Sequence, residues 1–222
     1  MKNKKHDEDF FRTVYGNEEL EKLKNMRKKY EAKAQDSFNT KWKLFLFNSV
    51  INKSNKPLDL ELFREFRITD ELVKKYTAEY WQSEREDVIA EIKIDEIYNQ
   101  LKKLDLNQVL KSLCKTHYKN NFEDVFSFSD FSELNKSDKC CYCNLTIEKV
   151  KKLANKKLLF KKNERGWNLE IDRKNSNYEY SKGNCVMSCY WCNNAKTDEF
   201  TYDEFIKIGK SFEIIWEERL VK

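Results

Sequence analysis

The sequence predicts an α+β protein, with a helical amino-terminal region in residues 1–115 and a metal-stabilised unit of two strands and a helix in residues 116–222. Three observations carry this prediction. Apolar residues recur every three or four positions through the first half, the period of amphipathic helices. Strand-like alternation of apolar and polar residues marks Leu169–Arg173 and Gly183–Cys189. Of seven cysteines, all but Cys114 fall between Cys140 and Cys192.

Composition sets the outer limits. A chain of 222 residues holds one core or two small ones. With 40% hydrophobic and 36% charged residues it can fold as a globular protein, and 43 Lys+Arg against 38 Asp+Glu leave a mildly basic balance of +5. The longest apolar run, Trp42–Ile51, contains Lys43 and Asn48 and falls well short of the roughly 20 residues needed to span a bilayer. Met1–Asp9 mixes charges with no apolar stretch behind it, which argues against a secretory signal and for a cytoplasmic location.

A helix is expected from Asn17, its cap, with Leu20, Leu23, Met26, Tyr30 and Ala34 on one face, and Phe38, Trp42, Phe45 and Leu46 continue it with a second apolar face. The stretch from Lys53 to Pro57 breaks the pattern. Leu62, Phe63 and Phe66, then Leu72, Val73, Tyr76 and Tyr80, each mark one helix. Ser83 and Glu86 have capping-box spacing, and behind them Val88, Ile92, Ile94, Ile97, Leu101 and Leu104 form a long stripe. These stripes read as the core of a helical region with no catalytic constellation.

After the closely spaced Phe122, Phe126, Phe128 and Phe131, the chain enters Cys140-Cys141-Tyr142-Cys143, and much later Cys189-Tyr190-Trp191-Cys192. Two such turns each aim two thiolates to one side, so Cys140, Cys143, Cys189 and Cys192 are expected to share one tetrahedral Zn²⁺, with Cys141 and Cys185 as spectators. A closed four-sulfur site has no open position, so this zinc would be structural. Between the pairs, Asp172 on the first strand and Asn193 on the helix after the second can converge on a hard divalent cation, which prefers oxygen ligands.

With these residues in place the chain resembles the HNH, or ββα-metal, endonucleases in their zinc-ribbon-supported form. That family reads C-x-x-C, an E-x-D-H strand, a G-x-N entry to the second strand, and C-x-x-C-[HN]-x-x-K. The matches here are Cys140–Cys143, Glu170-x-Asp172-Arg173, Gly183-Asn184 and Cys189-x-x-Cys192-Asn193-x-x-Lys196, within residues 122–200. Ile171 to Asn184 looks most like a phage-type branch with D-R in place of D-H. The resemblance implies that Asp172 and Asn193 ligate a catalytic Mg²⁺ or Mn²⁺ and that Asn184 orients the loop between the strands. Where the D-H branch has its histidine base this chain has Arg173, and arginine cannot accept a proton. Arg173 would then grip the scissile phosphate, or a base such as His117 completes the site, or cleavage has been lost and only binding remains.

Lys149, Lys151, Lys152, Lys156, Lys157, Lys161, Lys162 and Arg165 make the insert before the first strand the most basic segment; with Lys196 they are the expected contacts to nucleic-acid phosphates. Thr201 and Glu204 again have capping-box spacing and open a last amphipathic helix through Phe205, Ile208, Phe212, Ile215 and Trp216. The expected function is a metal-dependent DNA endonuclease that cuts one strand per active site. The alternative is an inactive nucleic-acid- or partner-binding module on the same scaffold. By analogy, the helical region would dock a protein partner in a phage-defence or mobile-element system.

Overall fold

The computed structural model describes residues 4–52, 57–79, 94–160 and 165–222. Helix α1, Lys4–Ile51, is the spine. It is interrupted at Gly16, whose φ of 75° lies in the left-handed region that favours glycine. From there it continues without a break to Ile51, so the two apolar faces foreseen after Asn17 belong to one helix. The change of face follows from position: between Phe38 and Val50 the helix is buried on two sides, as expected of a central helix. One side, with Tyr30, Ala34, Phe38, Trp42 and Phe45, packs on α2 (Leu60–Glu65) through Phe63 and on α5 (Gln108–Asn120) through Leu110, Cys114 and Tyr118. The other, with Leu44, Phe47 and Val50, packs on Leu72 and Val73 of α3 (Asp70–Lys74), on Tyr76 of the π-helical turn that extends it, and on Ile97 of α4 (Ile94–Asp105). The Ser83–Glu86 pair, Tyr80, Val88 and Ile92 lie outside the described residues.

The aromatic run folds as α6 (Phe122–Val125) and α7 (Phe128–Leu134), and it packs back onto α1. Phe122, Phe126 and Phe131 are fully buried, and the Tyr30 hydroxyl donates to the Phe126 carbonyl at 2.7 Å. The same apolar cluster takes in Ile171, Tyr180, Cys185 and Met187, so packing is continuous from α1 to the strands.

Strands β1 (Glu170–Arg173) and β2 (Cys185–Ser188) pair antiparallel, with Glu170 opposite Ser188 and Arg173 opposite Cys185. Helix α9 (Tyr190–Lys196) begins two residues ahead of the expected Cys192, because the Cys189 sulfur accepts from the Cys192 N–H and caps the helix. The second C-x-x-C is therefore the first turn of α9. Helices α8 (Ile147–Asn155) and α10 (Tyr202–Val221) pack on each other behind the cysteines, and α10 opens with the full Thr201–Glu204 capping box. No described helix is long and apolar enough to cross a membrane.

Helix α10 approaches the first C-x-x-C turn at Gly209, where an added Cβ would lie 2.4 Å from the Tyr142 carbonyl oxygen. Gly209→Ala is therefore expected to lower stability by about 1–3 kcal/mol despite its better helix propensity, read as a drop in the urea midpoint. Gly183→Ala, with nothing within 4 Å of the new methyl, should stay within about 0.5 kcal/mol of wild type.

Candidate functional site

The sulfurs of Cys140, Cys143, Cys189 and Cys192 all lie within 4.8 Å of one another, and the four residues are buried. Local hydrogen bonds shape the first turn: Cys140 N–H donates to the Leu145 carbonyl and Asn144 N–H to the Cys140 carbonyl, each at 3.0 Å, while Asn144 takes a φ of 52°. Cys141 N–H donates to the Met187 carbonyl at 2.9 Å and ties this turn to β2. A tetrahedral ion with Zn–S of about 2.3 Å holds its sulfurs about 3.8 Å apart, and Cys143 and Cys189 are 3.7 Å apart. The donor set fits zinc. In the protein alone, hydrogen bonds from Cys143, Cys189 and Cys192 hold the Cys140 thiol far below its usual range, and the bonds to Cys140 push Cys189 and Cys192 up. Four buried thiols crowded at one point are a strain that a divalent cation would relieve by taking all four as thiolates. Burial pushes the Cys185 thiol up to about 11, which suits a spectator.

Beside this cluster, the strand alternation of β1 sends Ile171 into the apolar core and turns Glu170 and Asp172 toward α9. The Glu170 carboxylate accepts from Asn193 Nδ2 at 2.7 Å, and Asp172 lies 3.6 Å from the Lys196 ammonium. Asp172 also accepts from the Tyr142 hydroxyl at 2.7 Å, so a residue inside the first cysteine turn holds the carboxylate on β1. Burial raises the Asp172 pKa above the usual carboxylate value, opposed by the Tyr142 hydrogen bond and the Lys196 charge. With its nitrogen on Glu170, the Asn193 side-chain oxygen has no protein partner among the described residues.

Asp172 and Asn193 line one cleft of about 630 Å³. Glu170, Lys196, Asp198, Arg165 and Trp167 line it as well, together with Lys29 and Lys33 of α1. Arg165 grips Glu170 with two hydrogen bonds, at 2.6 and 3.1 Å. Arg173 lines the cleft too, but its Nη1 donates to Thr40 Oγ1 of α1 at 2.8 Å and to the Tyr178 carbonyl at 3.1 Å, and its guanidinium stacks over Tyr180. Asn184 lies outside the cleft lining. Its amide donates to the Asn175 and Glu179 carbonyls and accepts from Asn175 N–H, each at 3.0 Å, and so fixes the connection between β1 and β2.

The basic residues separate into groups. Lys149 pairs with Glu217, and Lys156 donates to the Leu220 carbonyl, so both brace α8 or its end against α10. Lys151, Lys152 and Lys157 are exposed, and Lys161 and Lys162 lie outside the described residues. Lys196 differs from the expected phosphate contact: it is 2% exposed, and its ammonium is committed to the Arg173 carbonyl at 2.9 Å and to Asp172. The inward turn follows from α9 packing flat on β1, which leaves the last turn of the helix facing the strand. His117, on α5, lies beside the Asn121 amide and is not among the residues lining the cleft.

Sequence reasoning quoted Glu170 in the strand motif without giving it a role, and passed over Tyr142, Lys29 and Lys33. Glu170 was recoverable, because residues two apart on a strand share a face. The four-residue spacing of Lys29 and Lys33 puts them on one side of α1, but no local pattern says what that side meets. Nothing local connects Tyr142 to Asp172, 30 positions away.

No protein-family model matches this chain and no curated protein matches it. Among solved structures it is similar to the rare-cutting HNH restriction endonuclease PacI, with 25% sequence identity and a TM-score of 0.35 over 46% of this chain and 75% of that one.

Elemental analysis of the purified protein should find one zinc per chain bound to the four cysteines. Cys143→Ser or Cys189→Ser is expected to lose the metal and to lower the thermal midpoint markedly, whereas Cys141→Ser keeps it. A full metal complement in Cys143→Ser would rule out the four-sulfur site.

Proposed function

We propose that this protein is a metal-dependent endonuclease that hydrolyses phosphodiester bonds of DNA, one strand per active site. The observation that carries this reading is that Asp172 and Asn193 line one cleft together with Lys29, Lys33, Arg165 and Arg173, with Glu170 and Lys196 fixing their positions. The Asp172 carboxylate and the Asn193 side-chain oxygen are the proposed ligands of Mg²⁺ or Mn²⁺, both hard donors suited to such ions. When bound there, the cation supplies Lewis-acid stabilisation of charge developing on the phosphate oxygens.

The chain's own residues do the rest. Tyr142 and Lys196 hold Asp172 from two sides, and Glu170 holds Asn193, so neither ligand has to be ordered when substrate arrives. Arg173 keeps α1 against β1 through Nη1, which leaves Nε and Nη2 to take an oxygen of the scissile phosphate. Among the described residues no histidine lines the cleft, and this reading has the attacking water activated without an imidazole base. That same observation, together with the prior pairing of Lys196 with Asp172, favours the second reading: a module that binds nucleic acid on this scaffold without cutting it.

Supercoiled plasmid incubated with the protein and Mg²⁺ or Mn²⁺ should convert to open circles, and EDTA should stop it. Asp172→Ala and Asn193→Ala are expected to slow nicking by roughly a hundredfold or more. Plasmid binding without nicking in either metal would establish the second reading.

Arg173→Ala alone cannot separate chemistry from packing, because it also frees Thr40 and Tyr180. Thr40→Val removes the link from Arg173 to α1 and, besides it, only the exposed bond from the Thr40 hydroxyl to the Asp36 carbonyl. If Arg173 acts on phosphate, Arg173→Ala should lose most of the nicking rate while Thr40→Val retains it at an unchanged thermal midpoint; equal losses in both would make Arg173 purely architectural.

A further inference from the structure

The helical region contributes a wall to the cleft, which is unexpected for a part of the chain with no recognisable chemistry. Lys29 and Lys33 line the same space as Glu170, Asp172 and Asn193. Four residues apart on α1, they stand one above the other on a single helix face. Lys29 is exposed and forms no ion pair among the described residues. Lys33 lies over the Tyr180 ring at 4.6 Å and donates to its hydroxyl at 3.2 Å, with Asp36 a distant 3.9 Å away.

This wall is fixed in place. The Ser37 hydroxyl accepts from the Tyr180 N–H at 2.8 Å in a fully buried contact, Thr40 accepts from Arg173, and Tyr30, Ala34 and Phe38 share a core with Ile171 and Tyr180. Helix α1 therefore cannot swing away from β1 without opening the core. The lining carries both signs: Glu170 and Asp172 are paired with Arg165 and Lys196, and Lys29 and Lys33 add two further cations from α1. Carboxylate and amide oxygens suit a cation, and lysines of α1 lining the same space suit a polyanionic strand.

We infer that α1 forms one side of the substrate groove, with Lys29 and Lys33 contacting phosphates of the DNA strand that enters the cleft. This rests on the nuclease reading for its choice of ligand, but it is tested by binding alone. A fluorescein-labelled DNA duplex is titrated with the zinc-loaded full-length protein, without added Mg²⁺ or Mn²⁺ and without chelator, at several salt concentrations and followed by anisotropy, with thermal unfolding run on each variant. Lys29→Ala should weaken binding roughly three- to tenfold and flatten the slope of log K against log salt by about 0.9, the loss of one phosphate contact. Lys29→Glu should weaken it further. Lys28→Ala, a neighbour on α1 that is not among the residues lining the cleft, should leave both quantities unchanged.

Wild-type affinity and slope in Lys29→Ala and Lys29→Glu would overturn the α1 wall while leaving the nuclease reading intact. Equal losses in Lys28→Ala and Lys29→Ala would overturn it too, since the effect would then be one of net charge. Salt-dependent binding that needs Lys29 in a protein that never nicks plasmid would support the wall and remove the nuclease reading. Failure of the wild-type protein to bind DNA would remove both.

Discussion

Two strands of four residues each cannot hold themselves together in water, so the β1–β2 pair and α9 depend on the gathering of four sulfurs at one point. That gathering joins a turn at Cys140–Cys143 to the first turn of α9, and β2 leads directly into the second of these. The consequence reaches the cleft by a short route. Tyr142 lies between two of the cysteines and gives its hydroxyl to Asp172, and Asn193 directly follows Cys192. The same four sulfurs therefore set the positions of both proposed cation ligands. Helix α10 seals the arrangement from behind, with Gly209 admitting the Tyr142 backbone to a distance no side chain would allow.

The second support is apolar and comes from the opposite direction. Ile171, Tyr180, Cys185 and Met187 from the strand unit are buried in one cluster with Tyr30, Phe38 and Trp42 of α1. Each strand thus has one face in this core, and β1 has its polar face on α9. The Arg173–Thr40 and Tyr180–Ser37 hydrogen bonds sit at the seam. Buried polar contacts of this kind add little net energy but penalise any other register, so α1 is both packed and aligned against the site.

Electrostatically, the cleft is a place of partial neutralisation. Arg165 sits on Glu170 and Lys196 on Asp172, so neither carboxylate stands alone in the protein. The buried Lys196 is the more constrained of the two cations, since its stem is packed under α9 and its ammonium also serves the Arg173 carbonyl. It acts as a strut between α9 and β1.

Much was legible from residues alone, because the signals are local. Helical period located the buried faces of α1, α2, α3, α4 and α10 but not of α5; two-residue alternation located β1; the paired C-x-x-C turns located the sulfur cluster; Thr201 and Glu204 located the start of α10. Each of these depends on atoms within a few positions of one another, where spacing and geometry are nearly the same thing. What the tertiary structure decided is which faces meet: that α1 runs as one helix beside β1 and lends Lys29 and Lys33 to the cleft, that Tyr142 reaches Asp172, that Lys196 turns inward, and that Arg173 bonds to Thr40, 133 residues away. Those pairings follow from the burial of a shared apolar set, and many face-to-face arrangements satisfy the same periodicities until side-chain packing selects one.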